Sequence, residues 1–140
     1  MAKIFISYSH VDQSCINEIK SVRLNSNHNL SFFDNSLSAP IYNGQGHVNR
    51  RPPADYASIP VREEITKLLL NSEKLLVILG NDTHSKLWVE WEIEEFKRLH
   101  RSPDILVMRT RDSLGGAPRV AQNLSVYEWD LDFVSKWVNR

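Results

Sequence analysis

The chain has 140 residues, 41% of them hydrophobic, and its 17 basic and 17 acidic side chains cancel to a formal net charge of zero. These totals predict one globular domain over residues 1–140, exclude a disordered chain, and give no electrostatic attraction to nucleic acid or to an anionic membrane. The single cysteine, Cys15, excludes an internal disulfide, and no apolar run approaches the roughly 20 residues of a membrane span. We therefore expect a cytoplasmic protein without a nucleic-acid or membrane partner.

Strand-like and helical patterns alternate along the chain. Short β-branched or apolar runs predict five strands, over residues 3–8, 30–34, 74–80, 104–108 and 125–129. Apolar residues at helical spacing predict helices between strands one and two, before strand three, between strands three and four, and over residues 131–138. This alternation implies an α/β fold, and the length favours a flavodoxin-like three-layer sandwich with a five-stranded parallel sheet of order 2-1-3-4-5.

A long connection is predicted over residues 36–60, because this segment lacks apolar periodicity and is rich in proline and glycine. A length of about 25 residues exceeds that of an ordinary loop, and such loops often close over a site. Both interpretations stay open here: a functional lid, and a surface loop without a role.

The helix predicted over residues 86–100 carries a carboxylate on its apolar side. At about 100° per residue, one continuous apolar arc is formed by Trp88, Val89, Ile93, Phe96 and Leu99. Glu92 falls inside this arc. Burying an unpaired carboxylate costs several kcal/mol or leaves the group protonated. Glu92 therefore either faces a pocket or has a partner that the local pattern does not show.

The predicted strand order indicates where a ligand would bind. In such sheets ligands lie beyond the carboxyl ends of the strands, where strands one and three are neighbours. The loops over residues 7–12 and 81–85 would meet at this point, and the second leads into the helix of Glu92. We therefore expect Glu92 to line a solvent-reachable cleft beside these two strands.

Several common site chemistries lack their motifs in this sequence. The loop after the first strand has no glycine for a flavin phosphate, and the dinucleotide fingerprint, the P-loop and G-x-S-x-G are absent. The five histidines do not have the spacing of a zinc site. We expect no metal and no bound cofactor.

Two segments resemble signatures of the TIR-domain family. Residues 3–12, KIFISYSHVD, are similar to the family's opening strand with its F-I-S-Y-S ending, and residues 85–93, SKLWVEWEI, are similar to its S-x-x-W-x-x-x-E signature. Residues 32–37 and 80–84 look more specifically like the bacterial branch that includes the Thoeris antiphage proteins of the ThsB type. The resemblance covers roughly residues 3–100, and residues 36–60 do not reproduce the BB-loop sequence of signalling TIR domains.

This resemblance implies an enzyme that cleaves NAD+ between nicotinamide and ribose, with NAD+ as substrate. The final Glu of the second signature is catalytic in TIR enzymes and corresponds to Glu92. Nicotinamide leaves as a neutral molecule and needs no general acid, and a carboxylate can stabilise the oxocarbenium-like ribose that remains. The product would be an ADP-ribose-type signal, cyclic in some relatives, that a separate effector protein reads in antiphage defence. Activity would await self-association or a phage-derived trigger.

The resemblance also implies a set of substrate-binding residues, namely Ser7, Tyr8, Ser9, Asp34, His84 and Trp88. Trp88 would pack against nicotinamide or ribose, the hydroxyls after the first strand would hold the pyrophosphate, and Asp34 would bind a ribose hydroxyl. Core packing, helix capping and a turn are the ordinary structural alternatives for these positions. The alternative function is a non-catalytic TIR-like adaptor or nucleotide-binding signalling module, which would not need Glu92.

Overall fold

The computed structural model describes residues 3–8, 17–19, 21, 33–34, 52–80, 86–110 and 124–140. The strands are β1 Lys3–Ser7, β2 Phe33–Asp34, β3 Lys74–Leu79, β4 Ile105–Arg109 and β5 Val126–Tyr127. The helices are α1 Ile59–Leu70, α2 Lys86–Leu99 and α3 Leu131–Val138. A short 3-10 helix, Tyr56–Ser58, precedes α1, and residues 17–19 and 21 are also helical. None of the helices within these ranges is long and apolar enough to cross a membrane.

All strand pairs of the sheet are parallel, and their order is β2-β1-β3-β4-β5. The central strand β3 is buried along its whole length, as its continuous apolar sequence indicates. The outer strands β2 and β5 have two residues each. The predicted α/β class with a parallel, flavodoxin-like sheet is thereby confirmed.

Helices cover both faces of the sheet, since side chains of successive strand residues point to opposite sides. On one face Ile4, Ile6, Leu76 and Ile78 pack with Ile19 and with residues of α3. On the other face Phe5, Leu75 and Val77 pack with residues of α1 and α2. The three-layer arrangement that the sequence predicts is therefore present, and α2 lies on the same face as α1.

The predicted loop over residues 36–60 is wrong at its end, because α1 begins at Ile59. Pro60 lies in the first turn of this helix, where the missing backbone N–H of proline costs no hydrogen bond. The preceding 3-10 helix is capped by Asp55, whose side chain accepts from the Ala57 N–H at 2.9 Å. Ser58 Oγ donates to the Pro52 carbonyl at 2.7 Å, and this hydrogen bond links the end of the 3-10 helix to the residues that precede it. Residues 36–51 of the predicted loop lie outside the described residues.

Polar contacts fix α2 against α1. Thr66 Oγ1 donates to Glu95 Oε2 at 2.8 Å, and Glu95 is also paired with Arg98 one turn further along α2. The hydrogen bond from Arg98 is the largest of the influences that lower the pKa of Glu95. At the end of α2, His100 Nε2 lies 2.9 Å from the Leu69 carbonyl of α1. These contacts join the two helices along their length and hold α2 in one orientation over the sheet.

A buried lysine joins the last helix to the start of the central strand. Lys74 Nζ donates to the carbonyls of Trp137 at 2.5 Å and Arg140 at 3.3 Å, and it forms an ion pair with Asp104 at 3.3 Å. Trp137 Nε1 donates to the same Asp104 carboxylate at 2.8 Å. Carbonyls at a helix C-terminus lack partners within the helix, so the ammonium group of Lys74 satisfies one at the end of α3.

Candidate active site

Glu92 lies on the side of α2 that packs against the sheet. On this side Val89, Ile93 and Phe96 are buried, and Glu92 itself is only 8% exposed. Glu94, which the helical spacing places on the solvent side, is exposed. The prediction that Glu92 falls within the buried arc of this helix is therefore confirmed. One position of the core is occupied by a carboxylic acid.

The partner of this carboxyl group is on the first strand. Ser7 is the last residue of β1, is 1% exposed, and donates from Oγ a 2.7 Å hydrogen bond to Glu92 Oε1. Strand alternation places Ser7 on the face of Phe5, which is the face covered by α1 and α2. Among the residues that the structure describes, Ser7 is the one hydrogen-bond partner of the Glu92 carboxyl. The partner is thus a neutral hydroxyl, not a lysine or arginine.

Burial dominates the ionisation of Glu92. Loss of hydration, partly offset by the Ser7 hydrogen bond, raises the pKa of Glu92 from its ordinary value of 4.5 to about 8. The carboxyl is therefore mostly protonated at neutral pH. A cation brought next to it would favour the ionised form, because opposite charges within a few Å lower the pKa of a carboxyl. A carboxyl whose pKa is shifted by burial in this way is a candidate for a functional site.

The pair sits where the sheet topology predicts a ligand site. β1 is the parallel neighbour of β3, and Ser7 at its carboxyl end is in register with Val77. The chain leaves β1 for β2 on one side and returns to β3 on the other, which is the switch in strand order at which ligands bind in such sheets. The predicted adjacency of strands one and three is confirmed, and α2 brings Glu92 to it.

Trp88 precedes Glu92 by one turn of α2. It is half-buried, packs with the cluster between the sheet and α1 and α2, and meets Trp91 edge to face at a ring-centroid distance of 5.6 Å. A half-buried indole one turn from the carboxyl is compatible with both core packing and a ligand contact. Contact of Trp88 with a substrate stays a prediction.

The other predicted site residues are distributed differently. Tyr8 is half-buried and packs with the cluster on the opposite face of the sheet, so the structure does not bring its side chain together with Glu92. Asp34 ends β2, where its backbone is paired with Ile4 of β1, but its side chain lies outside the described residues. Ser9 and His84 lie wholly outside them. The substrate-binding roles of these residues stay predictions.

Two surface hollows border α2 on its solvent side and share Arg62 and Trp91. The larger, of about 630 Å³, lies between α1 and α2, and the smaller, of about 350 Å³, extends toward Pro52, Pro53 and Leu87. As the described residues line them, neither includes Glu92. A cleft at Glu92 itself therefore stays a prediction. Within the described part of the chain, no three histidine, cysteine or carboxylate side chains cluster in a way that could hold a metal ion.

The parallel sheet, the helices on both faces and a buried glutamate at the β1/β3 junction are the features that the likeness to TIR domains leads one to expect. The family model for the TIR-like domain of the Thoeris protein ThsB matches residues 5–113, a span that includes both Ser7 and Glu92. The chain therefore belongs to the ThsB TIR-like domain family and is a Thoeris-type, defence-related TIR module. A search of curated proteins found no match.

Proposed function

We propose that this protein cleaves the bond between nicotinamide and ribose in NAD+, with Glu92 as the catalytic residue. The single observation that carries the proposal is a carboxyl group 8% exposed on the sheet side of α2, hydrogen-bonded to the hydroxyl that ends β1. A packed helix alone would be more stable with an apolar residue at this position, because burial of a carboxyl costs free energy. A function that needs the carboxylate accounts for its presence.

The proposed reaction needs one negative charge at the ribose. When the C–N bond breaks, its electron pair leaves with nicotinamide, which becomes neutral, and positive charge develops on the ribose. Ionised Glu92 would stabilise this charge, more strongly in a buried setting than in water. The pyridinium ring of NAD+ is itself cationic, so its binding would lower the pKa of Glu92 and favour the ionised form before the bond breaks.

The second step determines the product. Attack by water on the ribose cation, with loss of one proton, gives ADP-ribose, whereas attack by a nucleophile of the same molecule, also with loss of a proton, gives a cyclic product. Exclusion of water would favour the second outcome. We propose an ADP-ribose-type signal of this kind, read by a separate effector protein in antiphage defence, with self-association or a phage-derived trigger as the means of activation.

The remaining contacts belong to the same proposal. Trp88 would pack against nicotinamide or ribose, Asp34 would bind a ribose hydroxyl, and Ser9 with backbone amides after β1 would take the pyrophosphate. His84 would complete the substrate-binding set. Tyr8 is left out of the proposed set, because its side chain packs on the opposite face of the sheet from Glu92.

The alternative function is a TIR-like adaptor that performs no chemistry. One observation favours it: Leu87 is 53% exposed and lies beside the half-buried Trp91 in the smaller hollow on the solvent side of α2, where a protein partner could pack. An adaptor would keep its interaction after Glu92→Gln, whereas the enzyme would lose its activity.

The test is nicotinamide release from NAD+, followed by chromatography. Wild type, Glu92→Gln and Glu94→Gln are compared as purified proteins and in lysate of phage-infected cells, which supplies a trigger. Glu94 is the matched control because it is an exposed carboxylate on the same helix. We expect release by wild type and Glu94→Gln and none above background by Glu92→Gln. Equal release by wild type and Glu92→Gln in every condition would overturn the proposal.

A further inference from the structure

Ser7 is built into the core in the same way as Glu92. It is 1% exposed, occupies the last position of β1, and directs its hydroxyl to the carboxyl oxygen Oε1. A serine at a fully buried strand position loses the hydration of its hydroxyl and is favoured only when that hydroxyl has a partner. Here the partner is Glu92, so the two polar groups satisfy each other across the interface between the sheet and α2.

The hydroxyl suits both protonation states of the carboxyl. A serine hydroxyl can donate to a carboxylate and can accept from a carboxylic acid by rotation about its C–O bond. The hydrogen bond of 2.7 Å has the usual length for two oxygens and holds Oε1 at the end of β1. With Oε1 held in this way, none of the described residues is hydrogen-bonded to Oε2.

We propose that Ser7 is a positioning residue, which holds the Glu92 carboxyl through Oε1 and leaves Oε2 for the ribose of the substrate. The catalytic part of this inference rests on the proposed function. It replaces the expectation that the Ser7 hydroxyl binds the pyrophosphate, because a hydroxyl engaged by a buried carboxyl is not available to a phosphate oxygen.

Ser7 is the polar group that acts directly on the ionisation of Glu92. The pKa of Glu92 is set by burial, which raises it, and by the Ser7 hydrogen bond, which lowers it. The charged side chains on β1, β3, β4, α1 and α2 that are at least partly buried, as far as the structure describes them, are Arg62, Lys74, Glu90, Glu95, Lys97 and Arg109. Two of these are engaged with other groups: Lys74 with Asp104, and Glu95 with Thr66 and Arg98. Removal of the Ser7 hydroxyl should therefore raise the pKa of Glu92 further.

The first measurement does not depend on activity. The carboxyl carbon of Glu92 is titrated by ¹³C NMR, with the signal assigned by its loss in Glu92→Gln. Ser7→Ala is compared with Ser135→Ala, a matched control in which a buried serine hydroxyl without a hydrogen-bond partner is removed. We expect the Glu92 titration to move to higher pH, by roughly one pH unit, in Ser7→Ala alone. An unchanged titration in folded Ser7→Ala would overturn the proposal.

The second measurement is the pH profile of nicotinamide release. In Ser7→Ala we expect kcat to fall about tenfold at neutral pH, the effect of one hydrogen bond, with an acid limb moved to higher pH and with little change in KM for NAD+. Ser7→Cys, which keeps the size and a weak donor, should lie between wild type and Ser7→Ala and guards against a folding defect. A raised KM with an unmoved acid limb would instead assign Ser7 to the pyrophosphate. The Glu92 titration could shift in Ser7→Ala while the wild type releases no nicotinamide. That result would support the coupling of Ser7 to Glu92 and overturn only the proposed function.

Discussion

The buried carboxyl of Glu92 should make the folded protein less stable as the pH rises. In the unfolded chain Glu92 ionises with a pKa near 4.5, and in the folded protein burial raises that pKa to about 8. Between these two values the folded state holds a proton that the unfolded state has lost, so the free energy of unfolding falls as pH increases. The interval of about 3.5 pH units, at about 1.36 kcal/mol per unit, corresponds to about 5 kcal/mol. This contribution is fully present below pH 4.5 and is lost above pH 8.

The change that isolates this effect is Glu92→Gln, because glutamine has a similar shape and does not ionise. We expect urea unfolding to show that the free-energy difference between Glu92→Gln and wild type grows in favour of the variant from pH 5 to pH 8.5, by several kcal/mol. Glu94→Gln, at an exposed position of the same helix, should show a nearly constant difference over this range. A difference for Glu92→Gln that is also independent of pH would refute the conclusion that the folded protein buries a protonated Glu92.

Three further substitutions test the contacts around the sheet and α2. Lys74→Met keeps the apolar stem and removes the ammonium that binds the end of α3, so the free energy of unfolding in urea should fall by about 2 kcal/mol, and an unchanged midpoint would contradict this role. Thr66→Val should lower the free energy of unfolding by about 1 kcal/mol through loss of the hydrogen bond to Glu95, and Thr66→Ser, which keeps the hydroxyl, should lower it less. Equal losses in the two variants would contradict a role for this hydrogen bond. Trp88→Phe should reduce nicotinamide release more than Trp91→Phe does, and equal effects of the two changes would remove Trp88 from the substrate site.

The sequence predicts the position of Glu92 more securely than its partner. Helical periodicity indicates which side of α2 is buried, and it places the Glu92 carboxylate among Val89, Ile93 and Phe96. The partner, Ser7, is 85 positions away, and no local pattern relates two residues at that separation. The contact arises only when the parallel pairing of β1 and β3 and the packing of α2 are both in place.

Two further details follow from local rules of sequence. Alternation along β1 puts Phe5 and Ser7 on one face of the sheet and Ile6 and Tyr8 on the other, so the side chains of Ser7 and Tyr8 point in opposite directions. Proline is common in the first turn of a helix, and the apolar spacing from Val61 onward supports a helix start, so Pro60 fits the start of α1 better than the end of a loop.

The proposed cleavage of NAD+ depends on the buried carboxylate of Glu92. The most direct measurement is the rate of nicotinamide release by wild type and by Glu92→Gln. Both proteins are first shown to be folded and are assayed in lysate of phage-infected cells. We expect release by wild type and only background release by the variant. Undiminished release by Glu92→Gln, or no release by wild type in the lysate of infected cells, would contradict the catalytic role of Glu92.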